Sequence, residues 1–134
     1  PIDFDRFFRR REAAYVCAMA LHMASDTRRY GRVKLKQNQI IKFEEKAEDR
    51  GSGLINTGVY CMSKEILEWI PKAPASLERD VLPKLLSEGL IQGMVYDSPF
   101  IDIGTPEDFN RAPSFLKKWL NTGKSNGSEN QNIS

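Results

Sequence analysis

Cysteine is scarce in this chain. There are two, Cys17 and Cys61, and each lies in an apolar run, "AAYVCAMALHMA" and "LINTGVYCM". No CxxC pair and no Cys/His ligand spacing surrounds either, which excludes a zinc-ribbon type of site and a disulfide framework. Both read as buried, reduced thiols, the pattern of a cytoplasmic protein. Charge of one sign is also missing. Twenty Lys and Arg stand against 18 Asp and Glu, for a net charge of +2. That balance supplies no electrostatic footprint for nucleic acid or an anionic membrane. No apolar run approaches the ~18 residues of a spanning helix, and no signal-peptide pattern precedes the first helical segment. Internal repeats are absent. The nine glycines are scattered rather than gathered in a phosphate-binding loop.

What is present is enough for one modest domain. The chain has 134 residues, 40% of them hydrophobic, a length that fits a single core. "IDFDRFFRRREA" predicts a helix with Ile2, Phe4, Phe7 and Phe8 on its apolar side and Arg9, Arg10 and Arg11 as a solvated, dipole-complementing end. "AYVCAMALHM" predicts a buried strand, and His22 within it reads as a structural histidine. "GRVKLK" and "IIKFEEK", split by a polar turn, predict a hairpin. "AEDRGSG" reads as a loop and "LINTGVYCM" as a strand. "SKEILEWI" predicts a helix capped by Ser63. "SLERDVLPKLLSEG" predicts another, capped by Ser76, closed by Gly89 and kinked or broken at Pro83. "LIQGMVYD" and the short "FIDIG" read as strands. "TPEDFNRAPSFLKKWL" is the last helix, with Thr105 as N-cap, Pro106 at its first position, a possible break at Pro113, and Phe115, Leu116 and Trp119 toward the core. The polar residues 121–134 predict a disordered tail after a folded 1–120. Alternating strands and helices with an early hairpin predict an α/β fold with a mixed sheet.

Ligands of open α/β sheets bind outside the carboxyl ends of strands, and three polar groups fall near such places. Asn56, Thr57 and Gly58 interrupt an otherwise apolar strand. Either the backbone approaches a ligand there, or a β-bulge satisfies Asn56 from the main chain. Glu45 and Lys46 end "IIKFEEK". They form a solvated charge cluster or, for Lys46, a point charge for a phosphate. Asp102 precedes the capped helix. It bonds turn amides or serves as a hard-cation ligand, and the presence of Thr105 as the cap leaves its carboxylate free for the second role.

Taken in order, "RYGRV", "FEEK", "LINTGVY", "SLERDVLPKL" and "FIDIGTPEDFNRA" resemble the C-terminal half of the sugar-phosphate nucleotidylyltransferases. The resemblance runs from about Ile2 to about Leu120. The "DIGTPEDF" wording is similar to the bacterial D-glycero-D-manno-heptose 1-phosphate guanylyltransferases, and mannose- and glucose-1-phosphate enzymes stay open. The resemblance implies a Rossmann-like nucleotidyltransferase fold with a mixed sheet, of which this chain is the C-terminal half. It implies transfer of a nucleoside monophosphate from a nucleoside triphosphate to a sugar 1-phosphate, with Mg²⁺ as cofactor. Asp102 would hold the metal, Lys46 the sugar's phosphate and Glu45 sugar hydroxyls. Gly31, beside Tyr30, would offer backbone to the sugar, and Asn56, Thr57 and Gly58 would line the pocket. Glu78 and Asp80 would serve helix capping and packing. The family's Gly-rich nucleotide loop and its second aspartate ligand are absent from these residues, so the chain alone is expected to be inactive, with an exposed sheet edge and a tendency to self-associate as a possible homo-oligomer. A non-catalytic sugar-phosphate-binding or regulatory module acting with a partner is the alternative.

Overall fold

The computed structural model describes residues 3–44, 51–72 and 74–125, with side chains to 121. The chain divides into two compact units, Pro1–Ser98 and Pro99–Ser134.

The first unit is a five-stranded mixed sheet with short helices. Its strands are β1 (Cys17–Ala24), β2 (Arg32–Lys36), β3 (Gln39–Glu44), β4 (Gly53–Met62) and β5 (Ile91–Tyr96). They lie in the order β1-β4-β2-β3-β5. β1 runs antiparallel to β4 and parallel to β5, and the expected hairpin joins β2 to β3. The turn of that hairpin puts Gln37 at φ 56.

β1 is apolar without alternation because both of its faces are covered. Cys17, Met19 and Leu21 point into one cluster with Val33, Ile40, Val81, Leu82, Leu85 and Ile91. Ala18 and Ala20 point into a second with Phe7 and Met94. Burial pushes the Cys17 thiol up to about 12, so it stays protonated and is a poor nucleophile. Cys61, on β4, is only part-buried.

The ring of strands closes, which differs from the exposed edge expected of a half-domain. The seams are narrow: β2 meets β4 at Arg32↔Ile55 and β3 meets β5 at Gln39↔Gln92. A polar knot around the buried Gln92 reinforces the second seam. The Gln92 side chain accepts from the Glu12 amide at 3.0 Å and donates to the Glu12 carboxylate at 3.1 Å. Asn38 donates to the same carboxylate, and the Gly93 amide donates to the Asn38 carbonyl at 2.7 Å. The other amide hydrogen of Gln92 goes to the Arg10 carbonyl at 3.3 Å, so Gln92 is buried without an unmet donor.

Gly93 sits where the first cluster is tightest. A Cβ there would collide with the Leu35 side chain and stand 2.9 Å from Leu21 Cδ1 and 3.2 Å from Ile40 Cγ1. Gly93→Val is therefore expected to destabilise the chain by roughly 1–3 kcal/mol through overpacking. A lowered urea midpoint with an unchanged slope is the expected reading. An unchanged midpoint would mean that the cluster has room to give.

The helices of this unit are shorter than the sequence suggests. α1 is Phe4–Arg9, and its cap Asp3 accepts the Arg6 amide at 3.0 Å. Of its aromatic side only Phe7 is buried, while Phe4 and Phe8 are 54% and 53% exposed. One helical turn and a half can press only one position against the sheet. Ser63 does not cap a helix directly: a turn over Ser63–Glu65 intervenes, and α2 is confined to Ile66–Trp69. Ser76 caps as expected, accepting the Arg79 amide at 3.3 Å, and its own amide donates to Asp80 at 2.6 Å. The break expected at Pro83 is a π turn, Leu77–Val81, that leads into α3, Leu82–Ser87. The Leu82 amide reaches back to the Leu77 carbonyl. Pro83 has no amide to give, and its ring crowds the carbonyl four residues back. Widening the preceding turn removes that conflict. Gly89, at φ +69, closes the segment.

In the second unit the expected strand over "FIDIG" does not form; residues 100–104 are irregular. The Asp102 side chain accepts the Gly104 amide at 2.9 Å, so this stretch folds on itself instead of pairing. Thr105 caps the helix α4 (Pro106–Ser125), accepting the Asp108 amide at 3.2 Å. α4 passes through Pro113 unbroken and extends past Leu120. Its more buried positions are Asp108, Ala112, Phe115 and Trp119, a helical stripe. Leu116 lies off that stripe, 49% exposed, which corrects its expected place toward a core. The disordered tail was expected over 121–134; its first five residues are the end of α4, to Ser125, and 126–134 lie outside the described residues.

Candidate functional site

Five of the expected site residues are brought to one end of the sheet. β2 begins at Arg32, which pairs with Glu44 of β3 on one side and Ile55 of β4 on the other. The residue before Arg32 is Gly31 and the residue after Ile55 is Asn56, so the antiparallel register sets the two opposite each other. Tyr30 is held in a turn by its amide, which donates to the Thr27 carbonyl at 3.0 Å, and Thr27 is itself fully buried. Gly31 is small for a local reason, since a Cβ would stand 3.2 Å from the Glu44 carbonyl oxygen. Glu44, at the end of β3, is paired with Lys34 at 2.9 Å and Lys42 at 3.5 Å. Glu45 and Lys46 lie outside the described residues.

Asn56, Thr57 and Gly58 form a bulge. Met19 faces Tyr60 and Leu21 faces Asn56, so two residue steps on β1 match four on β4. Gly58 takes φ +77 there, a left-handed conformation suited to glycine. The Thr57 hydroxyl donates to the Ala20 carbonyl at 2.9 Å, pinning the bulge to β1. Asn56 Oδ1 accepts the Gly58 amide at 2.9 Å, and its Nδ2 donates to the Tyr60 hydroxyl at 2.6 Å. The bulge reading of "NTG" thus describes the backbone, with Asn56 bonded at both ends of its amide.

One residue to which no ligand role was assigned from sequence, Tyr60, joins this cluster. Tyr60 follows Asn56 by four positions, a spacing that brings two side chains together in a strand only when a bulge shortens the path. Glu78 stands exposed on the π turn. It does not cap the helix; Ser76 and Asp80 do that. Burial, helped by Glu78, raises the Tyr60 hydroxyl above its ordinary pKa, so at neutral pH it is a neutral donor.

Asp102 belongs to the second unit. Its carboxylate is not idle, as the cap at Thr105 had suggested, because Oδ1 holds the Gly104 amide. Oδ2 takes no hydrogen bond among the described residues, so one hard oxygen remains for a cation. Mg²⁺ commonly takes one or two carboxylates and completes its shell with water and phosphate, and a lone aspartate of this kind fits one such ligand position. Among the described residues no group of three or more His, Cys, Asp or Glu side chains could hold a metal by itself, and no described helix is long and apolar enough to cross a membrane.

The Nucleotidyl transferase family model matches residues 3–118. The mannose-1-phosphate guanylyltransferase of Mycobacterium tuberculosis is 36% identical over 106 residues, which is 76% of this chain and 30% of that protein. The D-glycero-alpha-D-manno-heptose 1-phosphate guanylyltransferase of Aneurinibacillus thermoaerophilus is 31% identical over 121 residues, 89% of this chain and 52% of that protein. Among solved structures, HddC from Yersinia pseudotuberculosis superposes with a TM-score of 0.71 at 31% identity, covering 86% of this chain and 50% of that one; it has also been solved complexed with GMP-PN. The chain therefore spans about half the length, or less, of these relatives. Its mixed sheet is part of their Rossmann-like domain, and the chain belongs to the nucleotidyl transferase family.

Proposed function

We propose that the protein transfers a nucleoside monophosphate from a nucleoside triphosphate to a sugar 1-phosphate, releasing pyrophosphate, and that this chain carries the sugar-phosphate side of the site. The observation that carries the reading is the convergence of Tyr30, Gly31 and the Asn56–Gly58 bulge at one end of the sheet, in a chain whose relatives are named as guanylyltransferases of mannose 1-phosphate and a heptose 1-phosphate. Those names favour GTP as the donor.

In this reaction an oxygen of the sugar phosphate attacks the α-phosphorus. One P–O bond forms, the bond to the β-phosphate oxygen breaks, and the electron pair leaves with pyrophosphate. The nucleophile is already an anion, so no strong base is required. The site must align the groups and offset negative charge. Lys46 supplies a cation for the sugar's phosphate and Glu45 accepts from sugar hydroxyls. Gly31, lacking a side chain, lets the sugar approach the backbone beside Tyr30. Asn56 and Thr57 line the same pocket at Gly58. Asp102 supplies a carboxylate oxygen to Mg²⁺, which when bound neutralises and aligns the reacting phosphates. These 134 residues contain no Gly-rich phosphate loop, so by themselves they are expected not to turn over.

Steady-state kinetics on the full-length polypeptide test the assignment. Lys46→Ala is expected to raise KM for sugar 1-phosphate by about one to two decades, since a charge-assisted contact is worth roughly 1.5–3 kcal/mol. KM for the nucleotide should stay close to its starting value. An unaltered KM for the sugar phosphate, with kcat intact, would remove Lys46 from the site.

A further inference from the structure

Thr27 is fully buried, although it stands in a polar turn between β1 and β2. A hydroxyl taken out of water needs a partner. Its Oγ1 donates to the Gly51 carbonyl at 2.9 Å, 24 residues along the chain. The turn makes its own shape without that bond. Asp26 Oδ1 accepts the Arg28 amide at 3.0 Å, and the Thr27 carbonyl accepts the Tyr30 amide at 3.0 Å. Both bonds are local, so they curl the chain but do not decide where the curl rests. The Thr27 side chain decides that.

The turn rests on the lead-in to β4. Gly51 comes just before Gly53, the first residue of β4, which pairs with Ala24 at the end of β1. A second tie runs beside the first. The Arg32 guanidinium lies over Gly53, where a Cβ would collide with Nε and stand 3.0 Å from Cζ. At the other end of the turn, Gly31 lies against the Glu44 carbonyl of β3. Tyr30 and Gly31 are thus delivered by a turn fixed on both sides, through Thr27 toward β4 and through Gly31 itself toward β3. The ladder between β2 and β4 is one pair, Arg32↔Ile55. The Thr27 bond therefore adds a fixed point between the turn and the strand that carries the Asn56–Gly58 bulge.

We propose that Thr27 is a positioning residue for the sugar 1-phosphate: its hydroxyl, bonded to the Gly51 carbonyl, holds the Tyr30–Gly31 turn at the spacing from β4 that admits the sugar. This deepens the functional reading above and rests on it. Being fully buried, Thr27 does not touch the ligand. Its effect reaches the sugar through the backbone at Tyr30 and Gly31. Small displacements of a binding backbone weaken every contact it makes, so a site of this kind needs a support that is itself locked.

The experiment is steady-state kinetics on the full-length polypeptide with mannose 1-phosphate, using Thr27→Val and Thr27→Ser beside thermal melts. Valine keeps the branched shape and loses the hydroxyl; serine keeps the hydroxyl and loses the methyl. Thr27→Val is expected to raise KM for the sugar phosphate about five- to tenfold, the worth of one hydrogen bond. The sugar contact is made equally in ground and transition states, so kcat and KM for the nucleotide should stay within about twofold. Thr27→Ser should keep KM near its starting value, although it melts lower for want of a buried methyl. KM then follows the hydroxyl and not the melting temperature. A Thr27 that only fills space would make KM rise with the loss of melting temperature in both variants, and that result would overturn the proposal. If Lys46→Ala raises KM while a folded Thr27→Val does not, the positioning role is wrong and the functional reading stands. If both are silent, the functional reading falls and the positioning role with it. Should Thr27→Val fold poorly, the ¹⁵N amide signals of the wild-type protein still decide the matter. The Ser52 amide shares its peptide group with the Gly51 carbonyl and so reports the bond. On titration with mannose 1-phosphate, the Ser52 and Gly31 signals should move with the same half-saturation. A Gly31 signal that moves while Ser52 stays still would overturn the proposal, and so would silence at both.

Discussion

Replacing Asp102 by Asn in the full-length polypeptide is expected to leave the fold intact and to lower kcat by several decades, at about 1.4 kcal/mol per decade. Asn is the informative choice because of the turn that Asp102 makes. Its Oδ1 accepts the Gly104 amide at 2.9 Å, and an Asn carbonyl oxygen can accept the same bond. Thr105 continues to cap α4 through the Asp108 amide. Local structure is therefore conserved and only the negative charge is removed, together with the hard-oxygen ligand that Oδ2 offers. Asp102→Ala would confound the two effects by releasing the turn as well. The measurement is nucleotide-sugar formation against Mg²⁺ concentration, alongside a thermal melt. A large drop in kcat or a higher Mg²⁺ requirement, with an unshifted melt, supports the ligand role. Near wild-type turnover at the same Mg²⁺ concentration would reduce Asp102 to a turn residue and remove the central metal assignment.

The largest effect on stability is expected at Phe7. It is fully buried, packed with Ala18, Ala20 and Met94, and its ring meets Tyr96 edge-on at 6.0 Å and 75°. α1 contributes no other buried side chain. Phe7→Ala leaves a hole between two alanines too small to collapse into it, and a loss of roughly 3–5 kcal/mol follows from the transfer and cavity terms together. For a chain of this size that is a large share of a total of about 5–15 kcal/mol. Phe8→Ala, at an exposed position one residue along, should move stability by no more than about 0.5 kcal/mol. Urea unfolding of the two variants side by side makes the comparison. Equal losses would mean that α1 does not dock through Phe7 alone.

Much of the secondary structure could be read from local chemistry. The unbroken apolar run at Cys17–Leu21 implies a strand covered on both sides, and β1 is that strand. Ser76 and Thr105 each accept an amide three residues on, as their places before a helix suggest. Such features depend on neighbours within a turn or so, which sequence displays directly. "FIDIG" misleads because its alternation suits a strand, but a strand also needs a partner. The Asp102–Gly104 bond is a competing local solution that propensity does not weigh. The aromatic side of α1 misleads similarly. Periodicity marks which residues share a face, while the length of helix that touches the sheet decides how many are buried.

For the candidate site the division is the same. From sequence alone come the residue types, the interruption of an apolar strand at Asn56–Gly58, the capped helix start after Asp102, and the ordered motifs that resemble the family. Those follow from covalent order and side-chain chemistry. Only tertiary structure brings Gly31 opposite Asn56 and closes the ring of strands at Arg32↔Ile55 and Gln39↔Gln92. Each of these joins residues far apart in the chain. Their meeting is decided by strand register, and a one-residue slip would separate them.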